Sequence, residues 1–264
     1  MLLATSAPQL LNILLGGYDE SDARVAAILR GAGYLSGRQN FCVVLAQSVD
    51  ATEMDNPARA RRLADTLDQL VPGNLARRLI DVRDARVTCV FSGVRRTSGW
   101  TPPTASLATR IAHELAIAGN TVVIGVSSDV SSTSQIPTAH RQALLALRVT
   151  SLTRRVVKFA AIPLRQLMIH LAGEELQRLL PPWTSDFYQA DDRLAGALSA
   201  TLRAYAEADM NVLKAAARLD VHPNTIYARM DRIRDVTGLN ARGYYALTDL
   251  ITVADARAAA LSGG

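Results

Sequence analysis

Residues 211–238 read NVLKAAARLDVHPNTIYARMDRIRDVTG, and their spacing resolves into two helices joined by a tight corner. In the first, Val212, Ala215, Ala216 and Leu219 recur at three and four residues, which sets the apolar groups on one stripe and leaves small alanines where another helix can approach. Asn211 is suited to cap it. The corner is Asp220-Val221-His222-Pro223. Proline at a first helical position gives up no needed donor, so the second helix starts there with His222 as its cap. Ile226, Met230 and Ile233 form its buried stripe, and at 100° per residue Asn224, Ala228 and Asp231 point away from it. Thr225, Arg229 and Arg232 fall on one flank, Tyr227 and Arg234 on the other.

A short helix bracing a second helix whose leading turns are open is the geometry that enters a DNA major groove. On that reading His222, Pro223, Asn224, Tyr227 and Ala228 face the duplex. Asn224 can bond adenine in bidentate fashion and Ala228 can touch a thymine methyl. Lys214, Thr225, Arg229 and Arg232 are placed for phosphates, where they set register without reading sequence. The amides at the start of the second helix offer a further phosphate site. Two residues have other uses: Arg229 in pairing with an acid to brace the domain, and His222 as a cap alone.

The run AAARLDVHPNTIYARMDRIRDVTGLN resembles the C-terminal helix-turn-helix of the PucR/CdaR family of bacterial transcriptional regulators. The resemblance rests on Ala216, Leu219, Val221, His222, Asn224, Thr225, Arg229, Ile233, Thr237, Gly238 and Leu239. Pro223 and Ala228 depart from it, where the family has a basic and an aromatic residue. Both departures lie on the face expected to meet DNA, so the operator sequence does not carry over with the family.

Composition bounds the rest. With 264 residues and 49% hydrophobic content the chain can build more than one core. The net charge of +5 permits a polyanionic partner without requiring one, because residues 191–264 hold nine basic and nine acidic side chains. Within 211–242 the balance is local, six bases against three acids. Cys42 and Cys89 sit inside apolar runs, which predicts buried free thiols and fits a reducing cytoplasm. The four histidines lack zinc-ligand spacing, and no apolar run reaches the length of a membrane span. The opening MLLATSAPQLLNILLGG has no basic leader and reads as a short packing or dimer-contact helix.

Upstream, a helical pattern covers 22–30. FCVVLAQSV at 41–49 is a strand covered on both faces. A helix over 57–70 follows, capped by Asn56. Leu79–Val82 and Arg86–Val94 are close enough to be an antiparallel pair. A loop at 97–104 leads to a helix over 106–118 closed by Gly119-Asn120, and TVVIGV at 121–126 is another strand. This β-α-β-β-α-β order is a split βαβ arrangement, a mostly antiparallel sheet with helices on one side. Its first and third strands are neighbours, which sets Cys42 near Cys89. A helix over 136–149, a strand near 156–160 and a long helix over 164–180 complete it, with Pro181-Pro182 as a stop. Helices over 192–208 and 244–260 flank the helix-turn-helix.

The element order and VVIGVSS resemble the GGDEF-like domain that precedes the helix-turn-helix in CdaR-type regulators. The implied fold is α+β: a helical segment at 1–34, a degenerate GGDEF-like domain at 35–182, a hinge at 183–191 and a helix-turn-helix domain at 192–264. The forty or so residues before the first strand leave no space for a separate sensory domain.

Enzymatic readings fail on chemistry. A diguanylate cyclase of related fold needs a glycine-rich acidic turn between its second and third strands to admit nucleotide and bind metal. Here that turn is Arg83-Asp84-Ala85. Gly16-Gly17-Tyr18-Asp19-Glu20 imitates the letters but precedes any strand and reads as a helix stop. His113-Glu114 lacks the second histidine of a metalloprotease helix. Gly125-Val126-Ser127-Ser128 reads as a turn in preference to an anion pocket, Glu174-Glu175 as a solvated face, and Arg95-Arg96 and Arg154-Arg155 as surface cations. No catalytic residue, metal or cofactor is expected. The expected protein is a cytoplasmic, non-enzymatic regulator that binds double-stranded DNA as a homodimer or higher oligomer. The sheet domain would supply dimerisation or reception of a small-molecule effector. The alternative is a nucleotide- or ligand-binding or protein-interaction module without DNA binding, for which nucleotide would raise thermal stability and DNA would not shift.

Overall fold

Strand β1 (Gln39–Ser48) explains the layering of the N-terminal half. Six consecutive residues, Phe41 to Ala46, are buried, so both faces of the strand need cover. The computed structural model describes residues 6–19, 21–35, 39–50, 57–70, 77–83, 86–94, 104–118 and 121–262. In chain order the helices are α1 (Ala7–Gly16), α2 (Ala23–Gly31), α3 (Pro57–Leu70), α4 (Thr104–Ala118), α5 (Ile136–Arg148), α6 (Leu164–Leu179), α7 (Trp183–Arg193), α8 (Ala197–Glu207), α9 (Val212–Leu219), α10 (Pro223–Thr237) and α11 (Tyr244–Ser262). The other strands are β2 (Arg77–Arg83), β3 (Arg86–Val94), β4 (Val122–Val126) and β5 (Val156–Lys158). Two compact units result, Met1–Ile162 and Pro163–Gly264.

In the first unit the sheet order is β2-β3-β1-β4-β5. The first four strands pair antiparallel, and β5 joins β4 in parallel. β3 lies between β1 and β2, as the split βαβ order requires. The expectation of helices on one side is corrected. Cys42, Val44 and Ala46 of β1 pack with Leu67 of α3 and with Ala108, Ile111, Ala112 and Leu115 of α4. The alternate residues Phe41, Val43 and Leu45 pack with Leu10, Leu11 and Leu14 of α1, Leu29 of α2 and Ile136, Ala139 and Ala143 of α5. The opening helix is thus core packing. α4 is capped from a distance: the Asp129 carboxylate accepts from Thr104 N–H at 2.9 Å and Ala105 N–H at 2.7 Å.

Cys42 pairs in register with Phe91, and Val44 with Cys89, so the thiols sit on adjacent strands two residues out of step, in the same core. Both are reduced. Burial pushes Cys42 up to about 12 against the opposing hydrogen bond from Ser127, and burial followed by the neighbouring Cys42 raises Cys89 well above its ordinary value. Thiolate is the reactive form. A disulfide-based thiol reagent is therefore expected to label neither cysteine in the native chain over minutes and both after denaturation. Rapid labelling of the folded protein would contradict this packing.

His140, half-buried on α5, is lowered from its usual 6.5 by burial and then by Arg86 and Arg83. The unfolded chain takes up the proton first, so stability is unaffected above pH 6.5 and falls as pH drops below it. Urea midpoints at pH 7.5 and 5.5 should differ more for the parent than for His140→Gln. The Asp68 carboxyl, lowered by its Arg78 hydrogen bond, acts only below its ordinary 3.8 and leaves this window clear.

The Gly16-Gly17-Tyr18 stretch ends α1 as expected, Gly17 taking φ 81°. The turn expected at Ser127 and Ser128 is corrected: the chain runs on beside β1 as far as Val130, which pairs with Phe41, with Ser127 N–H donating to the Val43 carbonyl at 2.9 Å, Ser127 Oγ accepting from Val43 N–H at 2.8 Å and Ser128 N–H donating to Gln142 at 3.1 Å. His113 and Glu114 are exposed, as is Glu175. Arg155 donates to the Ala116 carbonyl of α4. The expected caps at Asn56 and Gly119-Asn120, loop residues 97–103, Glu20, Asp84, Ala85, Arg95 and Arg96 lie outside the described residues.

The second unit starts at Pro163, and within it α6 packs on α11. Asp255 of α11 ties it in: one carboxylate oxygen accepts both Arg165 donors of α6, at 2.8 and 3.1 Å, and the other accepts both Arg203 donors of α8, at 3.0 and 3.1 Å. Such forked pairs fix geometry as well as contributing energy. The expected hinge at 183–191 is helix α7, with Phe187 fully buried. The chain turns at Ala195 and Gly196, at φ 50° and 81°. Buried Asp191 closes that turn by accepting from the N–H groups of Leu198 and Ser199, at 2.9 and 3.1 Å, and from the Ser199 hydroxyl.

Candidate nucleic-acid interface

α9 and α10 form the corner expected from residues 211–238. Asn211 Oδ1 accepts from Lys214 N–H at 3.0 Å and caps α9. The helix ends at Asp220 in the left-handed region, φ 51° and ψ 49°, which short polar side chains tolerate. Val221 N–H returns to the Ala216 carbonyl at 3.0 Å, so the chain re-enters helix within three residues. His222 Nδ1 accepts from Asn224 N–H at 3.2 Å, Pro223 is the first helical residue, and Gly238 ends α10 at φ 74°.

Packing decides which side of α10 is open. Ile226, Met230 and Ile233 are buried against Ala215 and Ala216 of α9 and Leu198 and Leu202 of α8. Each such burial stabilises by roughly 1.5–3 kcal/mol. The opposite side at the leading end is exposed at His222, Asn224, Tyr227 and Ala228, while Pro223 and Thr225 are half-buried. Lys214 on α9 and Arg232 on α10 are exposed and carry no ion pair among the described residues.

Two expected phosphate contacts are corrected. Arg229 is half-buried and donates to Thr201 Oγ1 of α8 at 3.1 Å, so its guanidinium braces the domain through a hydroxyl. The amides at the start of α10 are also engaged. Pro223 has no N–H, Asn224 N–H is held by His222 Nδ1, and Thr225 N–H donates to the His222 carbonyl at 2.9 Å. His222 is thus a cap in addition to being exposed.

Arg242, between α10 and α11, was not singled out by spacing. Its guanidinium lies 4.9 Å from the centre of the Tyr227 ring and 3.5 Å from Asp231, which also pairs with Arg234 at 3.3 Å. Only the basic excess across 211–242 hinted at it. Among the described residues no cluster of three or more potential metal ligands occurs, and no helix is long and apolar enough to cross a membrane.

The geometry defines a helix-turn-helix protein whose second helix, α10, has an exposed leading end, joined in one chain to a sheet domain covered on both faces. The chain belongs to the GGDEF-like domain family, which it matches over residues 15–149, and it carries a PucR C-terminal helix-turn-helix domain over residues 198–251. The family read from Ala216 to Leu239 is the one matched, and the helix-turn-helix match supports a DNA-binding transcriptional regulator. No curated protein matches the chain. A solved structure, a regulator of polyketide synthase expression from Bifidobacterium adolescentis, is similar over 97% of this chain and 92% of its own, at 17% identity and a TM-score of 0.42. That similarity is too low to bear on the argument.

Proposed function

We propose that the chain is a sequence-specific regulator that reads a DNA major groove with the first turns of α10 and acts by binding, without catalysis. The observation that carries this is the exposure of His222, Asn224, Tyr227 and Ala228 on the side of α10 opposite its buried stripe, with unpaired Lys214 and Arg232 beside them. Asn224 and Ala228 are the base-facing groups and Tyr227 packs beside them. Lys214 and Arg232 take phosphates. Selecting bound sequences from random duplex DNA with the full chain tests the reading. A recovered motif supports it, and recovery of none at low salt rejects it.

One helix-turn-helix contacts too little DNA to discriminate well, and two half-sites read by a symmetric dimer are the usual remedy. The regulator therefore acts as a homodimer, with the GGDEF-like domain supplying dimer contacts or a receiving site for a small-molecule signal. A motif with two-fold symmetry and a dimeric mass at micromolar concentration are expected. A monomeric mass with an unrepeated motif would count against it.

A further inference from the structure

Among the described residues the aromatic side chains with the most exposed surface are Tyr227, Tyr244 and Tyr245, at 41, 67 and 82%. All three belong to the helix-turn-helix unit. Tyr244 and Tyr245 open α11 with their rings 5.5 Å apart, edge to face. They contribute nothing to the core, since α11 buries Leu247, Leu250, Ile251 and Ala254. Large apolar rings left in water mark a contact surface, and tyrosine suits one that is apolar on its face and polar at its tip.

The pair is continuous with the recognition helix. Arg242 rests on the Tyr227 ring at 4.9 Å, and Tyr244 is two residues further along the chain. Consecutive Cα atoms are 3.8 Å apart, so its Cα lies within about 7.6 Å of that of Arg242. We propose that Arg242, Tyr244 and Tyr245 form a second contact on the DNA sugar–phosphate backbone, flanking the groove occupied by α10. The proposal rests on the DNA-binding reading and adds to it a contact that no base-reading residue supplies. The hydroxyls would donate to phosphate oxygens, the rings would pack on deoxyribose, and Arg242 would add charge. Asp249, exposed one turn further along α11, confines the contact to the first turn. Charge favours a duplex over a second copy of this chain. Beside the pair, Arg234 and Arg242 share the single carboxylate of Asp231, at 3.3 and 3.5 Å, which leaves a positive excess that suits phosphate and opposes a copy of itself.

The test uses the full chain and a duplex recovered by selection. Tyr244→Ala/Tyr245→Ala, at exposed positions that leave the core intact, is expected to weaken binding about ten- to a hundredfold on recovered and unrelated duplexes alike, with base preference unchanged. Neutral methylphosphonate linkages placed singly along the duplex should weaken the parent at a flanking phosphate to which the double variant is indifferent. Unchanged affinity would overturn the proposal while leaving the role of α10 standing. Weakened binding together with loss of dimeric mass would overturn it too, assigning the pair to a subunit contact. A parent that binds no DNA would overturn both.

Discussion

Gly125→Ala is expected to destabilise the sheet domain by at least about 3 kcal/mol, at or beyond the usual range for overpacking and a large part of a typical domain's stability. Gly125 lies on β4 with Val123, on the face that α5 covers. A β-carbon there would stand 2.2 Å from the Ala143 carbonyl oxygen and 2.5 Å from Leu147 N. Both atoms are helix backbone, so no side chain can rotate away, and relief requires α5 to lift off Phe41, Val43 and Leu45. Gly31→Ala is the control, because nothing lies within 4 Å of its added carbon. Urea unfolding of both variants checks the expectation. A Gly125→Ala midpoint equal to that of the parent would mean that α5 does not approach the sheet so closely.

Removing the two unpaired cations should have the largest effect on DNA binding. Lys214→Ala/Arg232→Ala is expected to lower affinity for every duplex and to flatten the salt dependence by roughly 0.9 for each phosphate no longer neutralised. Asn224→Ala should behave differently. It gives up discrimination of about 1–3 kcal/mol at one base pair and leaves the salt slope alone. Titrations of recovered and scrambled duplexes between about 50 and 200 mM salt separate the two effects. Arg229→Ala is the contrasting case. Its guanidinium is held by Thr201, so stability should fall while the salt slope stays near that of the parent. If the Asn224 and Arg232 variants both bound like the parent, the groove face would lie elsewhere on the domain.

Local pattern made much of this architecture legible. The unbroken apolar run at 41–46 announced a central strand, the 86–94 strand fell at its observed bounds, and Asn211, Pro223 and Gly238 punctuated the two helices where the structure has them. The α+β class and the family followed from such features, which depend on residues within a few positions of one another. Covering helices on the second face were missed, although the strand already called for them, because α1, α2 and α5 reach it only through contacts distant in sequence. Residues 183–191 passed for a hinge because the double proline before them reads as a boundary. Phe187 and Asp191 show their purpose only once α8 has folded back.

The candidate site divides along the same line. The sequence alone determined which α10 residues turn away from its buried stripe, since a helix repeat places side chains at known angles. It also showed that the turn Arg83-Asp84-Ala85 lacks the glycines and the carboxylate cluster that a cyclase of related fold requires. Only the tertiary structure decided which cations remain available. Arg229 and Arg232 look alike by spacing, yet α8 offers the first a hydroxyl and leaves the second in water. Arg242 gained its place on Tyr227 through a loop that no periodicity describes. A side chain's direction is set by the backbone it stands on, but its partners are set by whatever the rest of the chain brings beside it.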